Sequence, residues 1–315
     1  MQRVLFVALL GWIQLAATQA TKCNGHEGLC NLRFNQVTFA GTHNSGANRV
    51  MKYDAKIFMV PAGSCWYRNQ DYTFPGQLDF GIRFFDIDTC SKGGKAWTCH
   101  SDGYGQPLSE VIRDIANWLN HPAHRNEVIA IRFHDHKGIS GFDKFAPLFR
   151  EHFSGKGGKV DAYPSTNKWP TLGEAVAQNK RVFIFMRDGL CNANCRRSNR
   201  YIRPASYADT WIERKLTSKC NGMVEDTRKK CENEYRDLII VSAFASVGLC
   251  NSDLQKKCNP YIRPSAMACY NERKKKGKTV TFLIADYVNQ ARSNDDVVTV
   301  ARELNELNMR NKRSI

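Results

Sequence analysis

A parallel (β/α) barrel is the fold class that three features of this 315-residue chain predict. Short β-branched and aromatic runs recur, amphipathic helical stretches lie between several of them, and no Ser/Gly/Pro-rich linker divides the chain. The strand-like runs, in order, are Gln36–Ala40, Ile82–Asp88, Val128–His134, Arg181–Met186, Leu238–Phe244 and Val280–Asp286. Leu108–Leu119 sets Leu108, Val111, Ile112, Ile115 and Leu119 on one helical face; Asp295–Leu307 does the same with Val298, Ala301, Leu304 and Leu307. Asn294 or Ser293 is placed to cap the second helix, with Asp295 and Asp296 in its positive first turn. The competing fold, an open doubly wound sheet, lacks its Gly-rich fingerprint after the first strand. The four-residue echo Tyr201-Ile202-Arg203-Pro204 and Tyr261-Ile262-Arg263-Pro264 is too short for a repeat architecture. It reads as two helix entries with Pro in the first turn.

Residues 1–20 read as a secretory signal, with Arg3 ahead of the apolar stretch Val4–Leu15 and small residues at Thr18 and Ala20. Gln14 and Gln19 interrupt that stretch before the ~20 apolar residues of a membrane anchor. No later run is long enough to span a bilayer. Residues 21–315 are then expected to form a single secreted, monomeric domain. All 12 Cys lie beyond residue 20, which in an oxidising compartment allows up to six disulfides. Cys23/Cys30 and Cys90/Cys99 are spaced to close local loops. Cys191 and Cys195 have metal-like spacing, but no second close Cys/His pair follows them. Pairing in the stretch from Cys220 to Cys269 stays open. Net charge is +16, or +15 without Arg3, which favours anionic lipid headgroups or sulfated glycans; secretion makes nucleic acid the least expected partner. The run Arg273-Lys274-Lys275-Lys276 reads as the solvated end of a helix.

Polar residues collect where strands end. The clusters are Gly41-Thr42-His43-Asn44-Ser45-Gly46, then Asp86-Ile87-Asp88, then Arg132-Phe133-His134-Asp135-His136, then Arg187-Asp188-Gly189, and last Asp286-Tyr287. In parallel barrels these C-terminal strand ends form the active face. Asp86 and Asp88 are two apart and share a face, as do Arg132 and His134. Neighbouring carboxylates need a cation or a shared proton. The plain alternative is a buried Asp–Arg ion pair with no chemistry. His100, in Cys99-His100-Ser101-Asp102-Gly103, adds a second imidazole to His43, as paired acid–base work near neutral pH requires.

Val37–Gly46, Gly81–Asp88 and His100 together resemble the phosphatidylinositol-specific phospholipase C X-domain family, with weaker likeness at Glu127–His134, Val182–Arg187 and Ile284–Tyr287. The resemblance implies a distorted (β/α)8 TIM-type barrel, here disulfide-stabilised. It implies phosphodiester cleavage by the substrate's own 2-hydroxyl, through a cyclic phosphate. By position, His43 would be the general base, Asp286 its orienting acid, and His100 the general acid. Bacterial members carry Arg at the place of Asp88 and use no metal. Calcium-dependent members carry residues like Asn44, Asp86 and Asp88, so a divalent cation, calcium first, is implied. The fourth ligand position falls on His134, whose nitrogen suits a transition metal better; Asp135 supplies oxygen if the register slips by one, and Arg132 could replace the metal altogether. Arg187, Asp209 and Trp211 resemble inositol-binding positions, Trp211 standing where the family stacks a Tyr. The implied substrate is phosphatidylinositol or a GPI anchor at a membrane surface. Two alternatives remain: a catalytically weak barrel that binds anionic lipid or glycan, and a magnesium-dependent lyase of choline phospholipids.

Overall fold

The structure is a computed structural model that describes residues 22–53, 68–101, 103–208, 211–214, 220, 222–245, 251–291 and 294–313, with backbone only at 53, 207–208, 211–214, 243–245, 251 and 313. The expected signal, residues 1–20, and Asp209 lie outside the described residues, as does the Trp211 side chain. Twelve strands are described: β1 Phe39–Thr42, β2 Lys52–Tyr53, β3 Phe84–Lys92, β4 Lys95–His100, β5 Gly103–Pro107, β6 Ile129–Lys137, β7 Asp161–Ala162, β8 Lys180–Met186, β9 Ile202–Pro204, β10 Trp211–Arg214, β11 Ile240–Ala245 and β12 Phe282–Ala285.

Eight of them run parallel in chain order around the sheet: β10-β11-β12-β1-β3-β6-β8-β9. The order returns on itself as a barrel does, but no ladder joins β9 to β10 among the described residues. Among the described residues, that seam between β9 and β10 is not bridged. All six expected strand runs are strands, within a few residues at each end. The two elements at the seam were not expected. They are three and four residues long, too short for a period-two pattern to show.

Alternation sorts the strand residues into two cores. Phe85, Ile87, Ile129, Ile131, Phe133, Val182 and Ile184 face outward and pack under helices, including α1 (Phe74–Phe80) and α2 (Leu108–Asn120). Phe84, Ala130, Phe183, Phe185, Phe282 and Ile284 form the second cluster, inside the barrel. Phe34 closes its lower end, stacked on Phe183 at 4.0 Å and beside Phe39 at 4.7 Å. Gly41 needs to be glycine here: a Cβ would lie 2.7 Å from Phe84 and 2.8 Å from Ile284.

The echoed tetrapeptide divides. Ile202–Pro204 is a barrel strand, with Arg203 buried and donating to the carbonyls of Tyr163 and Pro164. The second copy does enter a helix, Ile262–Lys274, with Arg263 out on Glu303. The basic run ends that helix as expected, except that Arg273 is fully buried, capping carbonyls at Thr279, Glu234, Arg236 and Asp237. In the helix Val297–Arg313 the cap is Asp296, two or three places later than expected. Its Oδ1 accepts from the Val298 and Thr299 amides at 2.9 Å.

Five disulfides are described. Cys23–Cys30 and Cys90–Cys99 close the expected loops. Cys191–Cys195 is a disulfide, which disposes of its metal-like spacing. Cys231–Cys269 staples the helix Met223–Glu232, and Cys220–Cys258 the residues just before it, to the two helices that follow β11.

Candidate active site

The interior face carries the chemistry upward in layers. Along β3 the inward residues are Phe84, Asp86 and Asp88; along β6 they are Ala130, Arg132 and His134. Just past β1 and β12 come His43 and Asp286, adjoining the paired residues Thr42 and Ala285. The β3–β6 ladder thus sets Asp86 against Arg132, and one step past the C-terminal end of the β1–β12 ladder His43 stands against Asp286.

Asp86 and Arg132 are 2.7 Å apart, with side chains 1% and 0% exposed. Neither lines a described cavity. Arg132 is thus sealed against Asp86 Oδ1, while Asp86 Oδ2 is buried without a hydrogen bond. Of the four expected metal positions, Asn44, Asp88 and His134 line one cavity, and Asp86 is buried against Arg132.

One layer higher is an open cavity of about 540 Å³, lined by His43, Asn44, Asp88, His100, His134 and Asp135, with Ser101 and Lys137 at its side. His43 Nδ1 is 2.9 Å from Asp286 Oδ1, which assigns the ring lone pair to Nε2. Burial pulls the His43 pKa down. The Asp286 charge and hydrogen bond, with Asp86 and Asp88 behind, outweigh burial and leave it raised above 6.5. Asp88 is pushed up to about 7 by burial first, then by the charges of Asp86 and Asp135. His134 is lowered, by burial first and then by the Arg132 guanidinium. Its Nδ1 lies 3.8 Å from Asp88 Oδ1.

His100 reaches this rim by a detour. β3 overruns the barrel and turns back at Gly93-Gly94, both left-handed at φ 56° and 73°. That two-residue turn suits a twisted hairpin. β4 returns antiparallel, Thr89 facing Thr98, and ends at His100. The Cys90–Cys99 disulfide ties the two strands directly before that histidine.

Backbone strain marks the residue after each of His43, His100 and Asp286. Asn44, Ser101 and Tyr287 have positive φ (44°, 52° and 44°) and directly follow His43, His100 and Asp286. Such a conformation costs a non-glycine residue about 1–3 kcal/mol and persists where surroundings enforce it. Tyr287 is enforced by two hydrogen bonds of 2.6 Å, from its hydroxyl to the Arg68 carbonyl and from its amide to the Asn69 carbonyl.

Arg187 is half exposed beside the cavity and pairs with Asp135 at 2.8 Å. Among the described residues, the group with metal-ligand spacing is Asp88, His134 and Asp135, whose donor atoms lie within 4.8 Å of one another. Two convergent carboxylates, one of them held far above its usual pKa, fit a cation. Two residues went unnoticed in the sequence. Lys137 lines the cavity and donates to the Ser101 carbonyl at 3.1 Å; its only signal was its place after the His134–His136 cluster. Gln70 is fully buried, and its Nε2 donates to the carbonyls of His43 (2.9 Å) and Ala285 (3.0 Å). No motif surrounds it.

Fold and site define a class: a parallel barrel whose C-terminal face holds a carboxylate-oriented imidazole and a second imidazole in one cavity. The profile of the PI-PLC X 1 family matches residues 29–305, and the chain belongs to that family. It is 27% identical over 191 residues to a PI-PLC X domain-containing protein 1 of Arthroderma benhamiae, covering 56% of each chain. To an uncharacterized secreted protein of the same fungus it is 24% identical over 313 residues, 94% of this chain and 66% of the other. The chain thus spans roughly half to two-thirds of these relatives' length. A phosphatidylinositol-specific phospholipase C of Staphylococcus aureus shares the fold, with TM-score 0.57 at 19% identity over 86% of this chain and 93% of that one.

Proposed function

We propose that the protein is a secreted phosphodiesterase of phospholipase C type, cleaving phosphatidylinositol-type lipids or GPI anchors. The observation that carries the reading is the single cavity lined by His43 and His100, with His43 bonded to Asp286. Secretion is supported by the disulfides and by the secreted relative. No described helix is long and apolar enough to cross a membrane.

His43 Nε2 accepts the proton of the inositol 2-hydroxyl as that oxygen attacks phosphorus. Asp286 holds the ring and stabilises its charged form. The bond from phosphorus to the glycerol oxygen breaks, and protonated His100 delivers a proton to that oxygen. The products are diacylglycerol and a cyclic inositol phosphate. Water can then open the ring, with the two histidines exchanging roles. Lys137 and Arg187 place positive charge at the cavity side for the phosphoryl oxygens. Asp88, His134 and Asp135 would hold a divalent cation, with Asn44 beside them, and such an ion would add positive charge at those oxygens. Two carboxylates with one imidazole suit zinc or manganese better than calcium. Asp209 and Trp211 remain candidates for the inositol ring.

The test is release of water-soluble inositol phosphate from phosphatidylinositol vesicles, with and without chelator. His43→Ala and His100→Ala should each lose at least ~100-fold in kcat while keeping the wild-type Tm. Wild-type protein that turns over nothing with any added divalent ion would instead favour the binding barrel. Turnover of choline phospholipids alone would favour the lyase.

A further inference from the structure

The carboxylate that orients His43 makes one side-chain hydrogen bond among the described residues, the 2.9 Å contact with His43 Nδ1 itself. A carboxylate offers about four lone-pair sites, and a well-held one fills several of them. Asp286 is 3% exposed, yet no second donor braces it among the described residues. Its aim is therefore set by its own backbone.

That backbone is unusual. Along β12, Leu283 and Ala285 face outward and Ile284 inward, so the pleat turns Asp286 inward. An extended residue 287 would carry the strand on past the cavity. Tyr287 instead has φ 44° and ψ 53°, and the chain folds away into the turn Val288–Gln290. A bulky side chain holds that conformation only where its surroundings enforce it. Tyr287 is fully buried, and both of its polar groups are committed to one neighbouring segment. Its hydroxyl donates to the Arg68 carbonyl and its amide to the Asn69 carbonyl, each at 2.6 Å. Burial pushes the hydroxyl pKa up to about 12, so it stays a donor.

The segment Arg68–Asp71 is anchored on both sides. The amides of Asn69 and Gln70 donate to the Ala47 carbonyl, in the turn after β1, at 2.8 and 3.0 Å. Asp71 Oδ2 accepts from Asn289 Nδ2 at 3.1 Å and Gln290 Nε2 at 2.6 Å, in the turn after β12. The segment thus ties the His43 turn to the Asp286 turn, and Tyr287 is its attachment next to the carboxylate. We propose that Tyr287 is a positioning residue: by bonding Arg68 through its hydroxyl, it holds the backbone turn that aims Asp286 at His43 Nδ1. Sealed from the cavity, it touches no substrate and acts through Asp286. The inference rests on the phosphodiesterase reading for its effect on rate, and on the structure alone for its geometry.

Tyr287→Phe keeps the ring and removes the hydroxyl. In the ligand-free full chain, the proton between His43 Nδ1 and Asp286 is followed as a downfield imidazole N–H resonance. It should move upfield in Tyr287→Phe, as that hydrogen bond lengthens. It should stay in place in Tyr270→Phe, a control in the helix Ile262–Lys274 whose buried hydroxyl bonds only Asn311. On phosphatidylinositol vesicles, Tyr287→Phe should lower kcat about tenfold with KM nearly unchanged. In the Asp286→Asn background the same change should cost nothing further, because a residue that acts through Asp286 then has nothing left to aim. The proposal is overturned if the resonance keeps its wild-type position, or if Tyr287→Phe costs the same factor with Asp286→Asn as without it. A moved resonance in a chain that turns over no phospholipid upholds the positioning and sinks only the phosphodiesterase reading.

Discussion

Two acid–base pairs inside this barrel obey the same register and differ in what they can do. Asp86 and Arg132 face each other across β3 and β6; His43 and Asp286 face each other one step past β1 and β12. Their separations are alike, 2.7 and 2.9 Å. Exposure is not: Arg132 is 0% exposed, His43 16%. A fully buried guanidinium paired with a carboxylate does not meet a ligand in the cavity. An imidazole at the cavity wall, with its other nitrogen turned from that carboxylate, can exchange a proton with a ligand. Depth along the strand, more than residue type, separates the two roles.

The largest effect should come from breaking the deep pair. Arg132→Met leaves Asp86 buried without its cation and should cost about 3–5 kcal/mol of stability in urea unfolding. Arg132→Met combined with Asp86→Leu should recover most of that loss. If the double variant is no more stable than the single, the pair has some further role, for instance in holding a metal above it.

Asp286→Asn breaks the upper pair. It should cost about 100-fold in kcat, near 2.7 kcal/mol, with a smaller change in stability. The pH profile carries the sharper sign. His43 acts as base only when neutral, and its pKa lies above 6.5, so activity should rise with pH through a limb above that value. By linkage, the stability that His43 contributes is present below its unfolded pKa and fades as pH rises through the raised folded one. Removing the Asp286 charge should move the activity limb to lower pH. A limb that stays put would mean that another group governs it.

Much of this arrangement was legible before any coordinates. Period two put Asp86 and Asp88 on one face and Arg132 and His134 on another, and the strand ends marked His43 and Asp286. Depth was not legible. Nothing in the pattern Arg132-Phe133-His134 says that the first residue is sealed and the third reaches a cavity, because the strands on either side, β3 and β8, are distant in sequence. The seam strand Ile202–Pro204 escaped for a local reason: Tyr201–Pro204 looks like a helix entry, and its pairing with β8, far off in sequence, makes it a strand with Arg203 turned in on the Tyr163 and Pro164 carbonyls. Asp135 was weighed as a ligand and does join Asp88 and His134. A lone Gln70 or Lys137 carries no pattern at all.

The hairpin that carries His100 has its own support. Cys90→Ala with Cys99→Ala opens a short loop and should cost about 2 kcal/mol in Tm-derived stability. If the disulfide also aims His100, kcat should fall more than the lost stability explains, with vesicle binding unchanged. Full activity in the double variant would show that β4 is held by its ladder with β3 alone.

The smallest expected effect isolates positioning from chemistry. Gln70 touches neither proton nor phosphate. Its Nε2 bridges the carbonyls of His43 and Ala285, so it fixes the spacing of the two backbones that carry the upper pair. Gln70→Leu is close in volume and leaves both carbonyls without that donor. We expect kcat to fall about tenfold with KM nearly unchanged, since only the geometry of the proton acceptor is disturbed. The acid limb should stay where it is, because the Asp286 charge remains. A shift of that limb matching Asp286→Asn would mean that Gln70 holds the carboxylate's electrostatics as well as its place, and an unchanged kcat would mean that the paired strands β1 and β12 position the two residues without it.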